Sequence, residues 1–402
     1  MRAILEANNK DILREIKSLR KCLKGSGFPL ELEGYYQWVL SFLNEKEKMT
    51  NDNLYYLSLN VDTILSEVME RTQSITLNIR ILSAKYISPL SRYSKSDNIS
   101  IMLLKWLHDQ HSQSKDVPFA VSDGNFSIYP SKEIPVIYYL PSSSQKSILH
   151  LPLFFHEFGH YLFEVHRKEM NDYIISMQDG MEELLLQPYQ QNDDKFHRER
   201  KKTKNIIETW YDWIEEIFCD LVGLAIAGPA FLKTFSLYLR MSGREAFYLN
   251  DKELENSTHP VSWIRIKFLV DGAKKMGLVN EANQIEDEWK KMATLMNMTP
   301  IYHGYYSAAY DTLINEALSS MLEEASPIRY VDYVSISDEF VPGRDNFIQL
   351  MNVAWRIQEK KHGLYESWET AVIETFADMP VLNSPGGDHR KAIKPKMFSN
   401  ST

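Results

Sequence analysis

Two histidines four residues apart enclose a glutamate in the sequence His156-Glu157-Phe158-Gly159-His160. On a helix, residues four apart lie on one face, one turn apart, so both imidazoles could bind the same metal ion. Imidazole nitrogens are common ligands of tetrahedral zinc. Glu157 follows His156 directly, which places its carboxylate within reach of a metal-bound water without making it a ligand. The pattern therefore predicts a hydrolytic zinc site, in which the ion activates water and Glu157 accepts the proton.

A pattern this short also arises by chance, in which case the two histidines would be a buried pair held by hydrogen bonds. A catalytic zinc site usually has three protein ligands and a water molecule. A third ligand elsewhere in the sequence therefore separates the two interpretations.

Glu216 and Asp220 lie four residues apart, and the segment 217–228 is apolar except for Asp220. An acidic pair on one face of an apolar helix is costly unless another group compensates its charge. A divalent cation and a histidine N–H would do so. We therefore expect Glu216 to be the third zinc ligand, and Asp220 to accept a hydrogen bond from a ligand histidine. Glu215 is expected to face solvent, and Asp212 is an alternative to Asp220.

His166 is an alternative third ligand, because it follows His156 by ten residues, the spacing of the longer HExxHxxGxxH pattern. That pattern requires a glycine where this sequence has Phe163. If the helix continues, His166 lies about 240° around the axis from His160 and faces away. We therefore expect His166 to be an exposed histidine at the helix end.

A second group of polar residues, Ser257-Thr258-His259-Pro260, precedes an apolar segment that contains Arg265. Serine or threonine near a proline, ahead of helical spacing, is typical of a helix start, so His259 is expected in a loop. From there it could donate a hydrogen bond to the oxyanion of a tetrahedral intermediate. Arg265 could bind a substrate carboxylate or brace the site. Alternatively, His259 only caps the helix and Arg265 pairs with a surface acid.

The elements that must position these residues are mainly helical, because apolar residues recur three and four apart along most of the chain. Helices are predicted over 10–23, 35–43, 54–82, 99–108, 148–165 and 205–227, and beyond with interruptions to about residue 375. Segments 125–129 and 135–140 are rich in β-branched and aromatic residues and are predicted to form strands. The predicted fold class is α+β, mostly α-helical, with a small β-sheet.

Changes in composition along the chain predict four regions. An N-terminal helical lobe is expected over 1–117, a catalytic core over 118–275, a C-terminal helical lobe over 276–382 and a flexible tail over 383–402. Within the core, the polar and charged stretch 187–204 is expected to be an exposed insertion.

The overall composition excludes several classes of protein. Of 402 residues, 44% are hydrophobic and 25% are charged, which is typical of a folded globular chain and not of a disordered or collagen-like one. The net charge of −9 argues against a nucleic-acid partner. Two cysteines are too few for a disulfide framework. No apolar stretch reaches the roughly 20 residues of a membrane span, and the first ten residues do not resemble a secretory signal. We therefore expect a cytoplasmic protein without a membrane partner.

In combination, HEFGH at 156–160, Glu216-x-x-x-Asp220 and Thr258-His259-Pro260 with Arg265 resemble the gluzincin zinc metallopeptidases. The likeness is greatest to the branch that contains the CAAX prenyl protease and the HtpX-type heat-shock proteases. It covers about residues 125–270 and departs from that branch in two ways. The membrane helices of the CAAX protease are missing, and the interval between the second histidine and Glu216 is long.

The resemblance implies a zincin-like catalytic core, wrapped here by the N- and C-terminal helices. It implies Zn²⁺ as the cofactor, bound by His156, His160 and Glu216. Glu157 would be the general base, and Asp220 would orient a ligand histidine. His259 would stabilise the transition state. In these families a strand near the zinc helix pairs with the extended substrate, a role expected here for segment 135–140.

These observations predict a zinc-dependent metallopeptidase of narrow specificity. Its partner would be a peptide or protein substrate, with a regulatory protein partner also compatible with the large helical envelope. The alternative is a non-catalytic helical interaction scaffold, or a degenerate peptidase that keeps a structural metal. The number of protein ligands would separate a catalytic from a structural metal site, because structural zinc sites usually have four protein ligands.

Overall fold

Helices form most of the chain in the computed structural model, which describes residues 1–25, 33–88, 91–114, 119–122, 124–129, 136–187, 194–299, 301–330, 343 and 346–379. The helices are α1 (Arg2–Gly25), α2 (Glu33–Ser58), α3 (Leu65–Ile81), α4 (Asn98–Asp109), α5 (Leu153–Val165), α6 (Arg167–Leu186), α7 (Asp194–Ala227), α8 (Pro229–Arg240), α9 (Asp251–Glu255), α10 (Ser262–Lys275), α11 (Val279–Leu295), α12 (Asp311–Ala325), α13 (Phe347–Lys360) and α14 (His362–Asp378). The strands are β1 (Phe119–Ser122), β2 (Ser127–Tyr129) and β3 (Ile137–Leu140). The mostly helical α+β class is therefore confirmed.

The main hydrophobic core extends through the N-terminal, central and C-terminal regions, from α1 to α14. Within the described ranges, no helix combines the length and the apolar character that a bilayer span requires. The predicted tail 383–402 lies outside the described residues.

Two helix predictions need correction. The continuous pattern over 54–82 is interrupted, because α2 ends at Ser58 and Asn60 adopts a left-handed conformation with φ of 57° before α3 begins. The start of α7 at Asp194 places most of the supposed insertion 187–204 inside a long helix. Residues 188–193 lie outside the described ranges. Residues 194–204 are mostly polar and charged, so the apolar spacing that predicts a helix is absent there.

The small sheet has the strand order β1-β3-β2, with β3 parallel to β1 and antiparallel to β2. All four residues of β3 are buried. Since both edges of β3 are already paired, the prediction that segment 135–140 pairs with substrate is wrong. The parallel partner β1 was not predicted. Strand β2 packs against α5, and this contact sets the position of the sheet relative to the histidine helix.

The two helices that carry the predicted ligands, α5 and α7, pack together at Gly159. A β-carbon placed on Gly159 would lie 2.6 Å from Cα of Cys219 on α7, closer than side chains tolerate. Cys219 is fully buried, with its thiol against the same glycine. The glycine in the middle of the histidine pentad is therefore required by helix packing.

Replacing Gly159 with alanine should push α5 and α7 apart. We expect Gly159→Ala to lower the free energy of unfolding by about 1–3 kcal/mol, as overpacked cores do. Gly363→Ala is the matched control, because Gly363 is also helical but a β-carbon added there would meet no atom within 4 Å. Urea unfolding of the two variants measures the difference, and equal stability would contradict this packing.

His108 connects α4 to the sheet behind α5. Its Nε2 lies 2.8 Å from the hydroxyl of Tyr138 on β3, its Nδ1 contacts Ser114, and its ring packs edge-on against Phe158. Burial lowers the pKa of His108 from 6.5 to about 3, and the charge of His111 acts in the same direction. The neutral imidazole is therefore the form that the folded core accepts.

This pKa shift makes stability depend on pH. The unfolded chain protonates His108 below about pH 6.5 and the folded chain only near pH 3, so stability is lost as the pH falls through that range. We expect this histidine to account for on the order of 2 kcal/mol of the loss between pH 7 and pH 5. Urea unfolding of His108→Gln at both pH values should show a correspondingly smaller loss. His362→Gln, at an exposed position, should keep the wild-type pH dependence.

Candidate metal centre

His156 and His160 lie on the buried face of α5 and point toward α7. Their rings are perpendicular, with centroids 5.1 Å apart. The Nε2 atoms lie 3.4 Å and 3.5 Å from the two carboxylate oxygens of Glu216, respectively. The ligand atoms of these three residues all lie within 4.8 Å of one another. His156, His160 and Glu216 therefore form a group that could hold a metal ion.

The other nitrogen of each histidine faces a second carboxylate. Nδ1 of His156 lies 2.8 Å from Oδ1 of Asp220, at ion-pair distance although not aligned as a full hydrogen bond. Nδ1 of His160 is hydrogen-bonded to Oε1 of Glu215 at 2.8 Å. Such carboxylates fix the ring orientation of metal-binding histidines and leave Nε2 free for the ion.

The expectation that Glu215 faces solvent is wrong, since its side chain is only partly exposed and bonded to His160. Sequence reasoning missed this residue because a helical wheel alone does not show what lies opposite. The signal is present nevertheless. Because α5 and α7 run antiparallel, the later acid on α7, Asp220, faces the earlier histidine, His156. The earlier acid, Glu215, faces the later histidine, His160.

Arg265 of α10 holds the acidic side of the site in place. Its guanidinium donates two hydrogen bonds to Asp220, at 2.8 Å and 2.7 Å, and its Nη2 lies 3.1 Å from Oε2 of Glu216. The same guanidinium lies over the ring of Phe235, which stacks against His156. Arg265 is only 5% exposed. Of its two expected roles, the geometry therefore favours bracing the site over binding substrate.

The charges of this cluster depend on one another. Burial opposes ionisation of His156, but the nearby carboxylates of Asp220 and Glu216 outweigh it and raise its pKa to about 10. Burial likewise opposes ionisation of Glu216, yet Arg265 and the two histidines hold its pKa well below the usual range. Arg265 and protonated His156 therefore offset part of the negative charge of the carboxylates. A metal ion must therefore displace a proton from His156 to bind.

The donor set fits a zinc ion. Two imidazoles and a carboxylate are a common ligand combination for catalytic zinc. Oε2 of Glu216 is buried and makes no aligned hydrogen bond, although Arg265 lies nearby. A buried acceptor without an aligned hydrogen bond is costly unless a cation or donor engages it, and a bound metal ion would do so beside Arg265.

Glu157 lies next to this group on α5 and is not a member of it. Its side chain is buried. Burial raises the pKa of Glu157, an effect that the charges of His156 and His160 partly oppose. A carboxylate with a raised pKa beside a metal centre is suited to accept and return a proton.

His259 lies in the loop before α10, as predicted, and reaches the site from the solvent side. Its Nδ1 is 2.9 Å from Oγ1 of Thr258, and its Nε2 is 3.3 Å from Oε1 of Glu216. More than half of its side chain is exposed. His259 therefore adjoins the ligand group without belonging to it.

The remaining candidates lie elsewhere. His166 ends α5 as expected, but it is partly buried rather than exposed, because its Nδ1 pairs with Glu324 of α12 at 3.1 Å. Neither His166 nor Cys219 joins the metal-binding group found in the described part of the chain. Asp212 is exposed.

Comparison of the chain with protein-family models, curated proteins and solved structures found no match. Any functional assignment therefore depends on the side-chain geometry described above.

Removing Glu216 and removing the neighbouring Glu215 should affect metal binding to different degrees. We expect Glu216→Ala, which removes a ligand, to cause the larger loss of zinc affinity. Glu215→Gln should weaken binding by roughly 10–100-fold, because His160 loses the carboxylate that orients it. Competition with a chromophoric zinc chelator measures both affinities.

Glu208→Gln serves as the control, since Glu208 is an exposed acid on the same helix. Its zinc affinity should equal that of the wild type. Unchanged affinity in Glu216→Ala would show that the three-residue group is not the metal site. Unchanged affinity in Glu215→Gln would show that its contact with His160 does not contribute.

Proposed function

We propose that the protein is a zinc-dependent metallopeptidase that hydrolyses peptide bonds. The observation that carries the proposal is the convergence of both Nε2 atoms on Glu216, with each Nδ1 held by a separate carboxylate. In the described residues the metal-binding group has three members. Structural zinc sites usually have four protein ligands, often cysteines, so a three-residue set supports a catalytic site.

A bound zinc ion would supply Lewis-acid activation of water and of the substrate carbonyl. Glu157 accepts a proton from the attacking water and passes it to the nitrogen of the leaving amine. Its buried position raises its affinity for that proton, and its place on α5 next to His156 keeps the carboxylate at the reaction centre.

The surrounding residues hold this arrangement and contact the reacting groups. Asp220 and Glu215 orient the histidines, and Arg265 fixes Asp220. The exposed ring of His259 is placed to donate a hydrogen bond to the developing oxyanion when it releases its contact with Glu216.

Extended substrate would approach along strand β2. In the peptidase families that the sequence resembles, a strand near the zinc helix pairs with the substrate backbone. Strand β3 has no free edge, whereas β2 has one edge without a partner among the described strands and packs against α5. A free edge offers backbone donors and acceptors to an added strand.

The general-base role predicts that Glu157→Gln keeps zinc and loses hydrolysis. Glutamine is nearly isosteric but cannot accept the proton, so turnover should fall by about 10²–10⁴-fold or more. Peptide cleavage by the zinc-loaded full-length chain is followed by mass spectrometry, with metal content measured in parallel. Glu164→Gln, on the partly exposed side of the same helix, should retain activity.

Two outcomes would contradict the proposal. Full turnover in Glu157→Gln would refute the base assignment. A wild-type chain that binds zinc but cleaves no peptide would favour the structural-metal alternative.

A further inference from the structure

Helix α8 runs along one side of the metal centre. Its Phe235 stacks on His156, with ring centroids 5.5 Å apart and an interplanar angle of 27°. Tyr238 follows Phe235 by three residues, and the two rings lie 6.4 Å apart. Tyr238 therefore lies about one helical turn from the residue that touches a predicted ligand.

The ring of Tyr238 is available to a bound molecule. Tyr238 is 47% exposed, and no hydrogen bond to its hydroxyl is found among the described residues. Burial of the hydroxyl and the charge of Glu157 raise its pKa, whereas Arg265 lowers it.

Phe126 completes an aromatic wall between α8 and the sheet. Its ring packs edge-on against Tyr238 at 6.5 Å and against Phe154 at 5.6 Å. Phe154 lies two residues before His156 on α5, and Phe126 immediately precedes β2. The wall formed by Phe126 and Tyr238 therefore connects the free-edged strand to the helix beside the metal centre.

Two exposed apolar side chains lie near the end of α8, one within the helix and one directly after it. Leu237 is 41% exposed and Met241 is 83% exposed, on either side of Tyr238 in the sequence. Exposed apolar residues that cluster beside a polar site commonly mark a binding surface. Aromatic rings recognise aliphatic and aromatic groups through contact area and ring geometry.

We propose that Tyr238 and Phe126 form a specificity subsite that accepts a large apolar side chain of the substrate, next to the scissile amide. This inference rests on the proposed peptidase function, since it places that side chain by the metal centre. The preferred substrates would be peptides with phenylalanine or leucine beside the cleaved bond, and the ring of Tyr238, not its hydroxyl, carries the preference.

The test uses amino-acid hydroxamates, because the hydroxamate group binds zinc and presents one side chain to the protein. Calorimetry on the zinc-loaded full-length chain compares the phenylalanine, leucine, glycine, aspartate and lysine compounds. We expect the phenylalanine and leucine hydroxamates to bind roughly tenfold or more tightly than the glycine compound, as burial of an apolar side chain implies.

Variants locate this preference. Tyr238→Ala should reduce the advantage over glycine to within about twofold, while Tyr238→Phe should retain it because the ring remains. Phe126→Ala should reduce it as well. Tyr55→Ala, which removes an exposed tyrosine on α2, should leave it unchanged. Circular dichroism and zinc content verify that each variant is folded and loaded.

The outcomes separate this subsite from the proposed function. Side-chain-dependent binding without any peptide cleavage would support an apolar binding site beside the metal-binding group and contradict the peptidase. Cleavage of peptides with no preference for apolar side chains, or a preference that survives in Tyr238→Ala, would overturn the subsite and leave the peptidase. Tighter binding of the lysine compound than of the phenylalanine compound would also overturn it, by indicating a cation–π site.

Discussion

The antiparallel packing of α5 on α7 is the constraint on which the site depends. Because Gly159 has no side chain, the backbone of α5 approaches the backbone of α7 at Cys219. At that distance, the imidazoles of one helix meet the carboxylates of the other without an intervening layer of apolar side chains. The glycine of the pentad is thus as necessary to the candidate metal centre as the histidines are, although it has no side chain that could bind an ion.

Charge balance is the second requirement of this core. The carboxylates of Glu215, Glu216 and Asp220 approach two histidines in a region that excludes most water. Buried carboxylates remain ionised only when positive charge lies close to them. Arg265 provides a permanent part of that charge, and a proton on His156 adds to it. A divalent ion would replace the proton and leave Arg265 in place, so the site is already organised for a cation.

The sequence predicted the parts of this site that follow from helical spacing. His156, His160, Glu216 and Asp220 come together because residues four apart share a helical face, and the loop position of His259 follows from its proline. Contacts between elements could not be predicted in the same way. The bond from Glu215 to His160 depends on the rotation of α7, and the aromatic wall depends on how α8 crosses α5. Strand β3 was predicted, but its central place in the sheet was not, because short strands carry little information about their partners.

The burial of Cys219 has a practical consequence. Its thiol lies at the α5–α7 contact, fully enclosed, and burial raises its pKa well above the ordinary value. A thiol in that state reacts with alkylating reagents only when the surrounding helices separate. The rate of alkylation of Cys219 would therefore report how often the two helices open, and slower labelling after a metal is added would record the cross-link that the ion makes between them. The exposed Cys22 provides an internal reference for the intrinsic reactivity of the reagent.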